Sequence, residues 1–182
     1  MDLSTKIKTN RLILRLCNPE DFSFFLEIIG DDLVSNNINY IINQKDFKNP
    51  EFIFHSIIDS FKTPYPIYLF IIIKKDINDS IGVCGLKILT EYNEAICFYS
   101  LHSKYRGYGF AIEAMKKVIE YGFLELKLSK LFTYINPKSS ATWKVAERVG
   151  MKYLGQIQIS EPLSEVMYFS IDKNEFDVQN FI

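Results

Sequence analysis

In 102-HSKYRGYGFAIEA-114, two glycines, an arginine and two tyrosines crowd together just before a helical pattern begins. From Gly109 to about Leu126, Phe110, Ala114, Met115, Val118, Tyr121 and Leu124 recur at three- and four-residue spacing, which predicts an amphipathic helix. Glycines at a helix start let backbone N–H groups converge on a ligand that side chains would block. The first turn adds unpaired donors and the positive end of the helix dipole, so a phosphate is the natural occupant. A plain turn before a helix would use glycine as well. A dinucleotide fingerprint, G-x-G-x-x-G/A, fails because Ile112 stands at the sixth place from Gly107, and no GxxxxGK[ST] loop is present.

Working outward, 94-EAICFYSL-101 reads as the strand that feeds this loop. Before it, 66-PIYLFIIIKK-75 and 80-SIGVCGLKILT-90 are strand-like runs, and the breaks 76-DIND-79 and 91-EYN-93 are short and polar, which predicts an antiparallel meander. Nearer the N-terminus, 11-RLILRLC-17 alternates as a half-buried strand does. A helix follows in 18-NPEDFSFFLEIIG-30, with Asn18 as N-cap, Pro19 in the first turn and Gly30 at its end. Residues 31–62 read as short helices, clearest at 50-PEFIFHSIIDSF-61. Past the glycine loop and its helix come a strand, 130-KLFTYI-135, and a helix, 139-SSATWKVAERVG-150, with Ser139 as N-cap. Two strands, 153-YLGQIQIS-160 and 165-EVMYFSI-171, close the chain. We expect one α/β (α+β) domain over residues 1–182.

The 182 residues carry a net charge of −1, which argues against a nucleic-acid binder. The charge is uneven: residues 104–152 hold ten Lys/Arg against four Asp/Glu, and the remainder is acidic. A basic segment suits a small polyanion, although scattered solvated lysines would give the same count. Cys17, Cys84 and Cys97 sit in apolar runs without metal-ligand spacing, and read as buried thiols in a cytoplasmic protein. No apolar run reaches the length of a membrane span, so neither a membrane nor a metal is expected.

The loop and its flanks resemble the GNAT superfamily of acyl-CoA-dependent N-acetyltransferases. The signature R/Q-x-x-G-x-G/A is matched by Arg106, Gly109 and Ala111. The helix 113-EAMKKVIEYGFLEL-126 is similar to that of the Rim-type branch, which acetylates ribosomal-protein N-termini. Two more blocks fit that branch: 9-TNRLILR-15, similar to T-x-R-L-x-L-R, and 137-PKSSATWKVAERVGMKYLG-155, similar to P-x-N-x-x-S-x-x-V-x-E-K-x-G-M/F. The three blocks run in the family's order across most of the chain. The resemblance implies a GNAT fold: a twisted, mixed, mostly antiparallel sheet of about seven strands with helices on both faces. The departures are Ser139 for the usual Asn, Thr142 for Ser, and Ala146 where many members carry a thiolate-protonating Tyr.

By this resemblance acetyl-CoA is the co-substrate and an amine, for instance a protein N-terminus, is the acceptor. Backbone groups of Ser100 and Leu101 would meet pantetheine and the thioester, on a strand end left unpaired as a β-bulge would achieve. Arg106, Gly107, Tyr108, Gly109, Phe110 and Ala111 would wrap the pyrophosphate. Ser139, Thr142 and Lys144 would complete the site, with Lys138 and Arg148 near the 3′-phosphate. Thr142 is the candidate donor to the departing thiolate. Glu165 is the first candidate base, followed by Glu94, with His102 beside it. Polyamine and antibiotic acetyltransferases share the scaffold, and a non-catalytic acyl-CoA-binding module would too. A monomer or a homodimer is expected.

Overall fold

The computed structural model describes residues 5–30, 49–89, 93–160 and 163–176. Eight strands form a single sheet: β1 (Lys6–Lys8), β2 (Leu12–Leu16), β3 (Ile67–Lys74), β4 (Asp79–Ile88), β5 (Glu94–Leu101), β6 (Lys130–Ile135), β7 (Lys152–Ser160) and β8 (Leu163–Asp172). Their spatial order is β1-β2-β3-β4-β5-β6-β8-β7. Every pairing is antiparallel except β5 with β6. Among the described residues four α-helices cover it: α1 (Phe22–Ile29), α2 (Pro50–Ser60), α3 (Phe110–Leu124) and α4 (Ser140–Arg148).

The sheet is mixed and mostly antiparallel, as expected, but has one strand more than the seven anticipated. The extra strand, Lys6–Lys8, is too short to show a period. The Pro50–Ser60 helix is present, and the other short helices expected within 31–48 lie outside the described residues.

The α1 start illustrates how local chemistry fixes an element. Asn18 Oδ1 accepts from the Glu20 N–H while Asp21 accepts from the Asn18 N–H, a reciprocal cap that opens with a 3-10 turn at Pro19–Asp21. Asp21 is buried, and both of its oxygens also accept from the Arg15 guanidinium at 2.6 and 2.7 Å. The buried carboxylate is thus paired rather than left at a desolvation cost.

The two faces of the sheet bury separate cores. On one, Phe25 and Ile28 of α1 and Ile53, Phe54 and Ile57 of α2 pack against Leu69, Ile71, Val83, Ile96, Phe98 and Phe132. On the other, Ala111, Ala114, Met115, Val118, Ile119 and Phe123 of α3, with Ala146 of α4, pack against alternate residues of the same strands. Each large apolar side chain fully removed from water contributes roughly 1.5–3 kcal/mol. The strand alternation therefore sorts β5 by parity: Ala95, Cys97 and Leu101 join the α3 side, and Ile96 and Phe98 the α1 side.

The parallel contact between β5 and β6 is short. Glu94, Ala95 and Ile96 pair with Lys130, Leu131 and Phe132, and no further. Beyond Ile96 the two strands part, while β5 keeps its pairing to β4 from Ala95 through Leu101 without a register shift. The bulge expected in 94–101 is therefore not how the strand end becomes unpaired; divergence of β6 opens it. The described register shifts fall instead in β3–β4 and β7–β8.

Candidate active site

The opening between β5 and β6 exposes backbone. In an antiparallel pair each residue turns both its N–H and C=O to one neighbour, alternately. His102 N–H donates to Ile81 O, and Leu89 N–H donates to Glu94 O, so even-numbered residues of β5 face β4. Tyr99 and Leu101 therefore turn their backbone groups toward the gap. Ser100 turns its own toward β4, which corrects the expectation that Ser100 offers backbone to the ligand. Its side chain is buried, and by alternation shares the α1 side with Ile96 and Phe98.

Above the gap the chain passes through a 3-10 turn at Ser103–Tyr105 and enters the glycine loop. Gly107 and Gly109 have φ of +85° and +80°, the left-handed region that a Cβ makes costly. A Cβ on Gly107 would meet nothing within 4 Å, and one on Gly109 would approach only Arg11 Nη2, at 3.6 Å. The loop thus presents backbone to open space rather than to protein. The first-turn N–H groups of α3 have no partner within the helix and point into the same space. Arg106 Nε donates to Leu101 O at 3.0 Å, strapping the loop to the end of β5.

The result is a cleft of about 460 Å³. Its floor is Tyr99–Leu101, one wall is the loop with Phe110–Ile112, and the other is Lys138–Thr142 with Lys144, Val145 and Arg148. Lys138, Lys144, Arg148 and Arg106 border it, and no carboxylate does among the described residues. A polyanion with an apolar arm fits these walls, so the residues present suit CoA. Nothing described gathers three potential metal ligands, and no described helix is long and apolar enough to cross a membrane.

Two hydroxyls meet on the α4 wall. Ser139 and Thr142 have their oxygens 2.7 Å apart, and Tyr99 borders the same cleft. Burial pushes the Tyr99 phenol up to about 12, while the nearby Thr142 hydroxyl and Arg106 charge pull the other way. Ser139 was expected to cap α4 with its side chain. It occupies the N-cap position, but its hydroxyl makes no cap bond and turns to Thr142 instead.

Of the residues singled out from sequence, Ser100, Leu101, Arg106, Gly107, Gly109, Phe110, Ala111, Ser139, Thr142 and Lys144 border one cleft. Tyr108 does not; its side chain is exposed and its carbonyl accepts from Arg11 Nη1 at 3.0 Å. Glu94 starts β5, five residues before Tyr99, which is about 17 Å along a strand. Glu165 is exposed, pairs across to Gln158, and by alternation shares the parity of Met167 and Phe169 on the α3 side. The structure does not bring these two carboxylates together with the hydroxyls. His102 Nε2 lies 3.0 Å from Glu27 Oε1 on α1. Sequence reasoning left Tyr99 unassigned. The available signal was a polar-tipped residue on the otherwise apolar face Ala95, Cys97, Leu101.

Residues 11–152 match the family described as "Acetyltransferase (GNAT) domain". The chain belongs to this GNAT acetyltransferase family. Among its relatives is an uncharacterized N-acetyltransferase, p20, of Bacillus licheniformis, 31% identical over 112 residues. That match covers 59% of this chain and 63% of p20, so the chain spans less than two thirds of that relative. A putative ribosomal-protein-serine acetyltransferase of Vibrio cholerae superposes with a TM-score of 0.74 at 18% identity, over 94% of this chain and 99% of the other. Spermidine N-acetyltransferase of Vibrio cholerae, in complex with CoA and spermine, gives 0.73 at 16% identity, over 91% and 97%. At such identities the two structures speak for the GNAT fold alone.

Proposed function

We propose that this protein moves an acetyl group from acetyl-CoA to a primary amine by direct transfer in a ternary complex, with a protein or peptide α-amino group as acceptor. The observation that carries the reading is the cleft. Unpaired strand edge, glycine loop, helix start and the Ser139 and Thr142 hydroxyls line one space bordered, among the described residues, by four cations and no carboxylate. The acceptor class is supported by the three sequence blocks that resemble the Rim-type branch.

When bound, acetyl-CoA supplies a thioester whose carbonyl carbon is open to an amine. The loop 106–111 holds the pyrophosphate by backbone N–H groups, and Lys144 and Arg148, four residues apart on one face of α4, meet the 3′-phosphate. The Tyr99 and Leu101 edge lines the pantetheine arm and directs an N–H at the thioester oxygen, where charge develops. As the amine nitrogen bonds to the carbonyl carbon, the carbon–sulfur bond breaks, sulfur keeps its electron pair, and the amine proton passes to water. Thr142 meets the departing sulfur with its hydroxyl hydrogen.

Thiol release from acetyl-CoA across a panel of ribosomal-protein N-terminal peptides, spermidine, spermine and aminoglycosides tests the reading. Peptide-dependent release is expected. Release with polyamines alone would transfer the reading to a small-molecule acceptor. CoA binding without release on any amine would leave a binding module.

A further inference from the structure

The strands on either side of the opening part at a defined point. Ile96 and Phe132 form the last pair of β5 with β6, so Cys97 and Thr133 are the first residues beyond it. At this fork lies a second, small cavity of about 20 Å³. Cys97 of β5, Thr133 and Ile135 of β6, and Ala146 and Val149 of α4 line its depth.

Tyr99, Thr142 and Val145 border both this cavity and the larger cleft. These three side chains are half-buried, whereas Cys97, Ile135, Ala146 and Val149 behind them are buried. The small cavity therefore continues the cleft inward along the fork, one side chain deeper. A pantetheine arm that follows the strand edge from Leu101 to Tyr99 brings its thioester to the mouth of this space. The acyl chain is the part of the ligand that continues inward.

The size and lining of the space select what enters it. One water-sized group needs roughly 10–15 Å³ on this measure, and a methyl group is of similar size. A water would also need two to four polar partners. Most of the side chains here are apolar, and the Thr142 oxygen is already 2.7 Å from that of Ser139. The cavity thus suits one carbon better than one water. Ala146 sets its depth, because any larger side chain at this buried position of α4 would occupy the space.

We propose that this cavity is an acyl-chain subsite with room for one carbon beyond acetyl, so that propionyl-CoA serves as donor beside acetyl-CoA. The inference rests on the acyl-CoA reading above. Propionyl transfer balances as acetyl transfer does. The amine nitrogen bonds to the carbonyl carbon, the carbon–sulfur bond breaks, sulfur keeps the electron pair and the amine proton goes to water.

The test compares acetyl-, propionyl- and butyryl-CoA on one amine acceptor, with calorimetric binding of each donor beside turnover. Wild-type kcat/KM for propionyl-CoA should lie within tenfold of that for acetyl-CoA, and butyryl-CoA should fall at least tenfold below propionyl-CoA. Ala146→Val fills the cavity and should lower kcat/KM and affinity for propionyl-CoA at least tenfold more than for acetyl-CoA. Ile135→Val enlarges it by one carbon without overpacking and should raise the butyryl-to-propionyl ratio at least threefold, which keeps the test decisive should Ala146→Val fail to fold.

Propionyl-CoA more than tenfold below acetyl-CoA in wild type would overturn the inference. So would equal losses for both donors in a folded Ala146→Val, or an unchanged butyryl-to-propionyl ratio in Ile135→Val. A wild-type protein that binds none of the three donors would overturn the functional reading itself, a result distinguishable from the others.

Discussion

Arg11 and Glu113 stand 102 residues apart in the chain, yet Arg11 Nε donates to Glu113 Oε2 at 2.6 Å and the Arg11 backbone N–H donates to Oε1 at 2.7 Å. Thr9 Oγ1 adds a bond to Oε1 at 2.5 Å. The same guanidinium reaches Tyr108 O and stacks 4.5 Å from the Phe110 ring centroid. The turn before β2 thus grips both the glycine loop and the first turn of α3. In the sequence, Thr9 and Arg11 open the T-x-R-L block and Glu113 begins the E-A pair of the helix. The structure gives the two blocks one shared purpose, which is to hold the loop in shape.

Glu113→Gln should therefore weaken the protein and its ligand site together. Hydrogen bonds to a charged group contribute about 1.5–3 kcal/mol each, less where water competes, and Arg11 is half exposed. We expect a loss of roughly 1–3 kcal/mol and a fall in melting temperature of several degrees. CoA affinity should fall as well, by calorimetry, because the loop loses its brace.

The same carboxylate sets a pH dependence. Burial raises the Glu113 pKa, but the Thr9 hydroxyl, the Arg11 backbone N–H and the guanidinium outweigh it, leaving the carboxyl below its ordinary value. A depressed folded-state pKa contributes stability above the unfolded-state value, about 4.3, and loses it as pH falls through the folded value. The stability gap between wild type and Glu113→Gln should be constant from pH 7 to about 5 and close below about pH 4. A gap unchanged at pH 3 in urea titrations would contradict this.

Gly109 can be tested in two steps that separate strain from space. At φ +80° an added Cβ costs about 1–2 kcal/mol, while the nearest atom it would meet is 3.6 Å away. Gly109→Ala should show that stability loss and a modest drop in CoA affinity. Gly109→Val should keep the fold yet lose CoA binding at least tenfold beyond the alanine variant. Equal affinity in the two would mean that no phosphate sits against this backbone.

Lys144 and Arg148 should matter to the ligand and hardly to the fold. Replacing both with alanine should change stability by no more than about 0.5 kcal/mol. The double variant should weaken CoA binding and erase the preference for CoA over dephospho-CoA. A retained preference would remove these residues from the 3′-phosphate.

The cysteines should stay silent in thiol assays. Burial pushes the Cys17 thiol up to about 12, and those of Cys84 and Cys97 higher still. Disulfide reagents should label none of them at pH 8 in the folded protein and all three in guanidinium. Prompt labelling of the native protein would contradict the burial.

The sequence carried the sheet because its strands are either alternating or continuously apolar and are bounded by short polar turns, as in 76-DIND-79. The cap at Asn18 was legible because its residues are neighbours. The loop was legible because left-handed backbone demands glycine at 107 and 109, and such positions leave a mark in the residue string. What escaped has a common cause. The Arg11–Glu113 clamp joins residues 102 positions apart, and nothing local in either partner reports the other. Glu165 is a candidate by its place in the family pattern and Glu94 by its place at the start of β5, and neither criterion measures the distance from the carboxylate to the cleft.

Thermal melting in the presence of acetyl-CoA, CoA and NAD tests the central claim most directly. A ligand at a hundred times its dissociation constant adds about 2.7 kcal/mol, roughly 5–10 °C for a domain of this size. The account predicts that shift with acetyl-CoA and CoA, its loss in Gly109→Val, and none with NAD. No shift at saturating acetyl-CoA would contradict it.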